Sequence, residues 1–278
     1  MKLASYAVDG RATWGAVLGD GLLDLAPRHG ATLRAAIEAR ALPDIARSIE
    51  GATATRAQSS VTFLPTIPDA DKIVCIGRNY KAHVAEGGGK PPEFPSVFIR
   101  FAGSQVGHGQ PIRLSKLSSD YDYEGELALV IGTGGRHIPR ERALSHVAGY
   151  VCFNEACYRD YQFKHSLAVG KNFAASGAFG PWMTTSDEIP DPAALELTTR
   201  LNGVQVQHAS VSELIFDVPY LISYLSGMMD LVPGDVIATG TPEGVGFART
   251  PPLWMKAGDE VEVEISRIGV LRNRVEKE

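Results

Sequence analysis

The residues best suited to chemistry are acids placed where apolar runs begin and end. Asp122-Tyr123-Glu124-Gly125-Glu126 leads straight into Leu127-Ala128-Leu129-Val130-Ile131, an apolar run of strand length. Successive strand side chains point to opposite faces, so Glu124 and Glu126 project from one face at roughly 7 Å Cα spacing. Two carboxylates that close at a buried strand start repel unless a cation lies between them, and hard oxygen ligands suit Mg²⁺, Mn²⁺ or Ca²⁺. Glu-x-Glu alone is more often a solvated strand edge, so context decides. Glu155 is a third acid, at the point where the apolar run Tyr150-Val151-Cys152-Phe153 ends in Asn154-Glu155. Strand ends gather around clefts, which makes Glu155 a candidate third ligand, or else a cap on the turn that follows.

Upstream, Ile76-Gly77-Arg78-Asn79-Tyr80-Lys81-Ala82-His83-Val84-Ala85-Glu86 precedes Gly87-Gly88-Gly89-Lys90. If Asn79 to Glu86 is helical, His83 and Glu86 share a face, and the carboxylate can orient the imidazole as a general base. The glycines would let this segment close as a lid. An exposed His beside an exposed Glu fits the same spacing. Gly170-Lys171 reads as a sharp turn presenting an amine that can move a proton or stabilise negative charge. Thr239-Gly240-Thr241-Pro242-Glu243-Gly244-Val245-Gly246 is a Gly-rich loop after a strand, whose amides and Thr241 hydroxyl suit a substrate carboxylate. It lacks the phosphate-loop pattern, and no early Gly-x-Gly-x-x-Gly points to a dinucleotide.

The elements that must position these groups are mostly short strands. Residues 2–25 alternate around Asp9-Gly10 and Gly19-Asp20-Gly21 as a small meander, and Thr32 to Glu50 carries helical spacing broken by Pro43. The proline-rich connector Leu64 to Asp71 divides residues 1–67, a small N-terminal α/β domain, from residues 68–278. Beyond it, β-rich runs separated by Gly, Pro and Asp predict an α+β, mainly β fold, rolled or sandwiched. Arg140 to Leu144 is expected to start a helix, and Pro219 to Gly227 to form one ending at the glycine. The chain has 278 residues, 44% hydrophobic and 21% charged, which is an ordinary globular composition. A net charge of −5, with 27 basic residues scattered among 32 acids, offers no basic stripe for nucleic acid. Met1 to Gly10 reaches an Asp-Gly turn before any long apolar run, so neither a secretory signal nor a membrane span is expected. Cys75, Cys152 and Cys157 read as reduced, buried thiols, hence a cytoplasmic location; Cys152 and Cys157 lack the second pair that a zinc site needs.

In order along the chain, Ile76-Gly77-Arg78-Asn79-Tyr80 with His83 and Glu86, Asp122-Tyr123-Glu124-Gly125-Glu126, Arg159-Asp160-Tyr161-Gln162, Gly170-Lys171-Asn172-Phe173, Gly180-Pro181-Trp182, Leu201-Asn202-Gly203 and Thr239 to Gly246 resemble the fumarylacetoacetate hydrolase family. The resemblance runs from about Lys72 to Val275. It implies a mixed β-roll catalytic domain, a homodimer, and Mg²⁺ or Mn²⁺ held by Glu124, Glu126 and Glu155, with Ca²⁺ as an alternative. It implies that His83 and Glu86 activate water, that Lys171 assists, and that Arg78, Tyr80, Arg100, Arg159, Gln162 and Thr241 contact a 2-oxo acid. The family usually has Asp where Glu155 stands, and many relatives have Lys where Arg100 stands. The implied activity is hydrolysis of a carbon–carbon bond in an acylpyruvate-like compound through an enolate on the metal. Decarboxylation or isomerisation of a related acid in aromatic-compound catabolism passes through the same enolate, as would a related hydratase. A catalytically retired binding protein is the reading from another class.

Overall fold

The computed structural model describes residues 1–278. Its main sheet runs, in spatial order, Arg56–Ala57, Gly21–Asp24, Arg11–Leu18, Lys2–Val8, Gly177–Thr185, Val147–Asn154, Gly125–Ile131, Val236–Ala238, Ile73–Gly77 and Ser96–Arg100. A second sheet is ordered Val204–Ser210, Glu196–Leu201, Glu260–Ile265, Gly269–Lys277 and Ile112–Leu114. The fold is thus the strand-dominated α+β arrangement expected.

The Gly125–Ile131 strand lies near the centre of the main sheet and is buried along its whole length. Its alternate residues serve two cores. Leu127, Leu129 and Ile131 join Leu197, Val263 and Leu271 of the second sheet and Leu221, Ile222 and Leu225 of the Val218–Met228 helix. Ala128 and Val130 pack on the opposite face with Leu33, Ile37 and Ile45 from the helices Leu33–Glu38 and Leu42–Ser48. Burial on both faces explains why its Leu127–Ile131 stretch is uniformly apolar instead of alternating.

The main sheet continues across the residue 67/68 boundary, because Lys2 and Leu3 pair with Thr184 and Met183. Three local expectations differ from the structure. Arg140–His146 is a 3₁₀ segment, closed by bonds such as Arg142 N–H to Pro139 O. The Val218–Met228 helix is capped by the Asp217 side chain and begins with Pro219 as expected, yet it runs through Gly227. Its inner face is packed, which outweighs one glycine's propensity cost. Gly170 and Lys171 close a short helix, Leu167–Lys171, whose N-cap is Ser166. No helix is long and apolar enough to cross a membrane.

Leu129 is fully buried between the sheets. Leu129→Ala is expected to cost about 2–5 kcal/mol, seen as a lower urea midpoint with an unchanged denaturant slope.

Candidate metal centre and active site

Strand register brings the three acids together. Gly125 pairs with Asn154 and Glu126 with Phe153 in the antiparallel ladder. Continuing that register by one residue sets Glu124 opposite Glu155, and Glu155 N–H donates to Glu124 O at 2.8 Å. One ligand atom from each of Glu124, Glu126 and Glu155 falls in a group spanning no more than 4.8 Å, and all three residues are buried. Three hard oxygen donors so gathered fit a hard divalent cation.

Three permanent cations surround them. Lys171 Nζ lies 2.5 Å from Glu124 Oε2 and 2.8 Å from Glu155 Oε2. Arg159 pairs with Glu124 through Nη2 and with Asp122 Oδ2 through Nε at 2.8 Å. Arg100 Nη1 donates to Glu155 Oε1 at 3.2 Å. Burial pushes the Glu124 carboxyl up, but the Arg159 and Lys171 charges outweigh it and bring the pKa down to about 2. Glu126 has no such partner: burial and the charges of Glu155 and Glu124 raise it well above the usual carboxylate range. Burial also raises Glu155, against the opposing charge of Lys171.

The Gly-rich loop does something other than expected. Its amides hold the protein's own carboxylates: Gly240 N–H donates to Glu126 Oε2 at 2.9 Å, Gly244 N–H to Glu86 Oε2 at 2.9 Å, and Gly246 N–H to Asp122 Oδ1 at 2.7 Å. Gly244 has φ +96°, and a Cβ there would fall 2.1 Å from Val206 O, so only glycine serves. Thr241 is likewise committed, donating to Gly125 O at 2.9 Å and accepting from Gln207 Nε2 at 2.8 Å. The helix that carries His83 and Glu86 runs Lys81–Glu86 instead of starting at Asn79. Asn79 is buried and bonds Phe216 and Thr239, which anchors the helix entry. His83 Nδ1 meets Glu86 Oε1 at 2.7 Å, the geometry of an oriented general base.

A cavity of about 310 Å³ opens over this floor. Glu124, Glu126, Glu155, Lys171, Arg159, Gln162 and Thr241 line it, with Arg78 and His83 also on its wall. Tyr80 and Arg100, expected among the substrate contacts, do not. Tyr80 is packed into the larger core, and Arg100 sits 2% exposed behind Glu155. Two supporting residues escape the sequence reading. Asp122 holds Arg159, and its two-residue spacing from Glu124 was the available signal. Gln207 accepts from Gly125 N–H at 2.9 Å while donating to Thr241 and Pro242. Simple alternation turns Gln207 outward with Gln205, but an irregularity between Thr199 and Arg200 resets the pairing and buries it.

Residues 72–276 match the family described as fumarylacetoacetate (FAA) hydrolase C-terminal. The chain belongs to this family of enzymes. Human "Oxaloacetate tautomerase FAHD2A, mitochondrial" is 40% identical over 221 residues, which cover 78% of this chain and 70% of that one. Fumarylacetoacetate hydrolase from psychrophilic Exiguobacterium antarcticum superposes with a TM-score of 0.88 at 35% identity, over 100% of both chains. Maleylpyruvate hydrolase from Sphingobium sp. SYK-6, solved in complex with manganese(II) ion and pyruvate, gives a TM-score of 0.82 at 28% identity, over 100% of this chain and 99% of that one.

A carboxyl whose folded pKa exceeds its unfolded value leaves stability intact at low pH and subtracts from it as pH rises through that window. Glu126 is such a group. Glu126→Gln keeps an acceptor for Gly240 N–H, so in chelator it should melt above the parent at about pH 7, the gap closing toward about pH 4. With saturating Mn²⁺ the order should reverse, because the parent alone gains ion-binding energy. Thermal melts across that range measure both.

Proposed function

We propose that this protein is a divalent-metal-dependent enzyme that forms and protonates the enolate of a small 2-oxo acid. Its proposed reaction is keto–enol interconversion of an oxaloacetate-like dicarboxylate. The observation that carries the reading is the convergence of Glu124, Glu126, Glu155 and Lys171 on the cavity that His83 also lines. The 40% identity to a protein named oxaloacetate tautomerase supports the substrate class.

Glu124, Glu126 and Glu155 would hold Mg²⁺ or Mn²⁺, and the ion, when bound, supplies Lewis acidity toward the 2-oxo carboxylate. With Nδ1 engaged by Glu86, His83 has Nε2 as the atom that takes a proton from the carbon beside the ketone and returns one. Burial acts against the Lys171 ammonium, but Cys157, Glu124 and Glu155 more than reverse this, so it stays charged and stabilises developing negative charge. Arg78 lines the cavity with no acid partner, its one side-chain bond going to Lys90 O at 3.0 Å. It is suited to the distal carboxylate.

The second reading, hydrolysis of an acylpyruvate, is favoured by the His83–Glu86 pair, which equally suits water activation. As an assembly we propose a homodimer. Ile99 and Phe101, 47% and 63% exposed at the end strand of the main sheet, form apolar surface that a second copy would cover.

Purified protein with Mg²⁺ or Mn²⁺, given enol oxaloacetate, acetylpyruvate and fumarylpyruvate, should accelerate loss of the oxaloacetate enol absorbance. His83→Ala should lower kcat by about 10²–10⁴-fold. Pyruvate release from acetylpyruvate without enol turnover would favour the hydrolase, and no metal-dependent turnover of any 2-oxo acid would end both readings. Arg78→Met should raise KM for the dicarboxylate about tenfold or more, with little effect on a monocarboxylate.

A further inference from the structure

We infer that Arg100 is a positioning residue that confines Glu155 to a single ligand oxygen, and thereby biases the metal centre toward small six-coordinate ions over Ca²⁺. This rests on the metal-centre reading proposed above.

Arg100 ends the Ser96–Arg100 strand and has no face on the cavity. Its guanidinium is fixed on every side: Nη1 donates to Ala156 O at 2.8 Å and Glu155 Oε1 at 3.2 Å, Nη2 to Ser176 Oγ at 2.9 Å, and Nε to Ser104 Oγ at 3.2 Å. A Cβ on Gly177 would lie 2.7 Å from Nη2 and 2.8 Å from Cζ, so the chain leaves that position bare beneath the fork. A planar group held in this way presents one N–H to Glu155 in a fixed direction. Glu155 Oε1 is thereby engaged, while Oε2 is turned to the Lys171 ammonium, which it shares with Glu124 Oε2.

The other two acids are restrained in the same sense. Arg159 Nη2 engages Glu124 Oε1, and Gly240 N–H engages Glu126 Oε2. Each acid thus has one oxygen tied to a donor other than Lys171, whose ammonium meets the remaining oxygens of Glu124 and Glu155 and is the group an arriving ion would displace. Ca²⁺ takes six to eight oxygens and draws on bidentate carboxylates, whereas Mg²⁺ and its like accept single oxygens in an octahedron and keep waters. Three restrained carboxylates favour the second class. Of the three restraints, Arg159 also lines the cavity and Gly240 acts through its backbone, so Arg100 is the one that a substitution can remove away from the substrate.

The test is calorimetric titration of the full chain, without substrate, by Mg²⁺, Mn²⁺ and Ca²⁺. Arg100→Lys keeps the charge and loses the fork; Arg100→Met loses both, and since any nearby cation repels every metal ion, the ratio of affinities is the readout. The Mg²⁺/Ca²⁺ and Mn²⁺/Ca²⁺ ratios should fall about tenfold or more in both variants. Ser176→Ala, which loosens only Nη2, should move the ratios the same way by less, and it decides the matter if the Arg100 variants do not fold. Ratios unchanged in the folded variants, or all three ions weakened equally, would overturn the inference while leaving the metal centre in place. A parent that binds none of the ions would remove the metal centre and the inference together.

Discussion

Mutual repulsion among carboxylates gathered in a low-dielectric interior is the constraint to which the surrounding structure answers. Taking even one such charge out of water costs several kcal/mol after relaxation, and here Asp122, Glu124, Glu126 and Glu155 are all buried. The replies are graded. Glu124 faces two cations and is held ionised, while Glu155 shares Lys171 and meets Arg100. Glu126 has only a backbone amide, and its ionised form is the one that burial and the neighbouring acids disfavour most. A divalent ion among Glu124, Glu126 and Glu155 would relieve all three at once, which is the physical ground for the proposed metal centre.

The Gly-rich loop ties this floor to the Lys81–Glu86 helix. The amides of Gly240, Gly244 and Gly246 hold an acid of the floor, the acid of the His83 pair, and the acid that orients Arg159. The His83–Glu86 pair and the buried acids are therefore referenced to one short stretch of backbone. Asn79 adds a second tie, joining the entry of that helix to Thr239 at the head of the same loop.

Much of this was legible from residue order. The acids stood out because each adjoined an apolar run, and the His83–Glu86 spacing predicted a contact that the helix supplies. The motifs together pointed to the family that the matched residues 72–276 establish. What escaped reading depended on partners distant in sequence. That Glu124 lies opposite Glu155 follows from a ladder register that neither strand announces by itself. A Gly-rich loop reads the same whether its amides face a ligand or the protein's own side chains, so its real employment was hidden. The resemblance made Arg100 a substrate contact, yet its strand turns it behind Glu155. Gln207 was lost to a single irregularity in pairing.

The union of Lys2–Val8 with Gly177–Thr185 has a consequence for solubility. Gly177–Thr185 is flanked on its other side by Val147–Asn154, and without Lys2–Val8 part of its backbone would stand as an open row of unpaired donors and acceptors. Such a row is a template for any passing strand. The meander thus moves the sheet's vulnerable border outward to Arg56–Ala57, two residues long, where there is too little ladder left to recruit a neighbour.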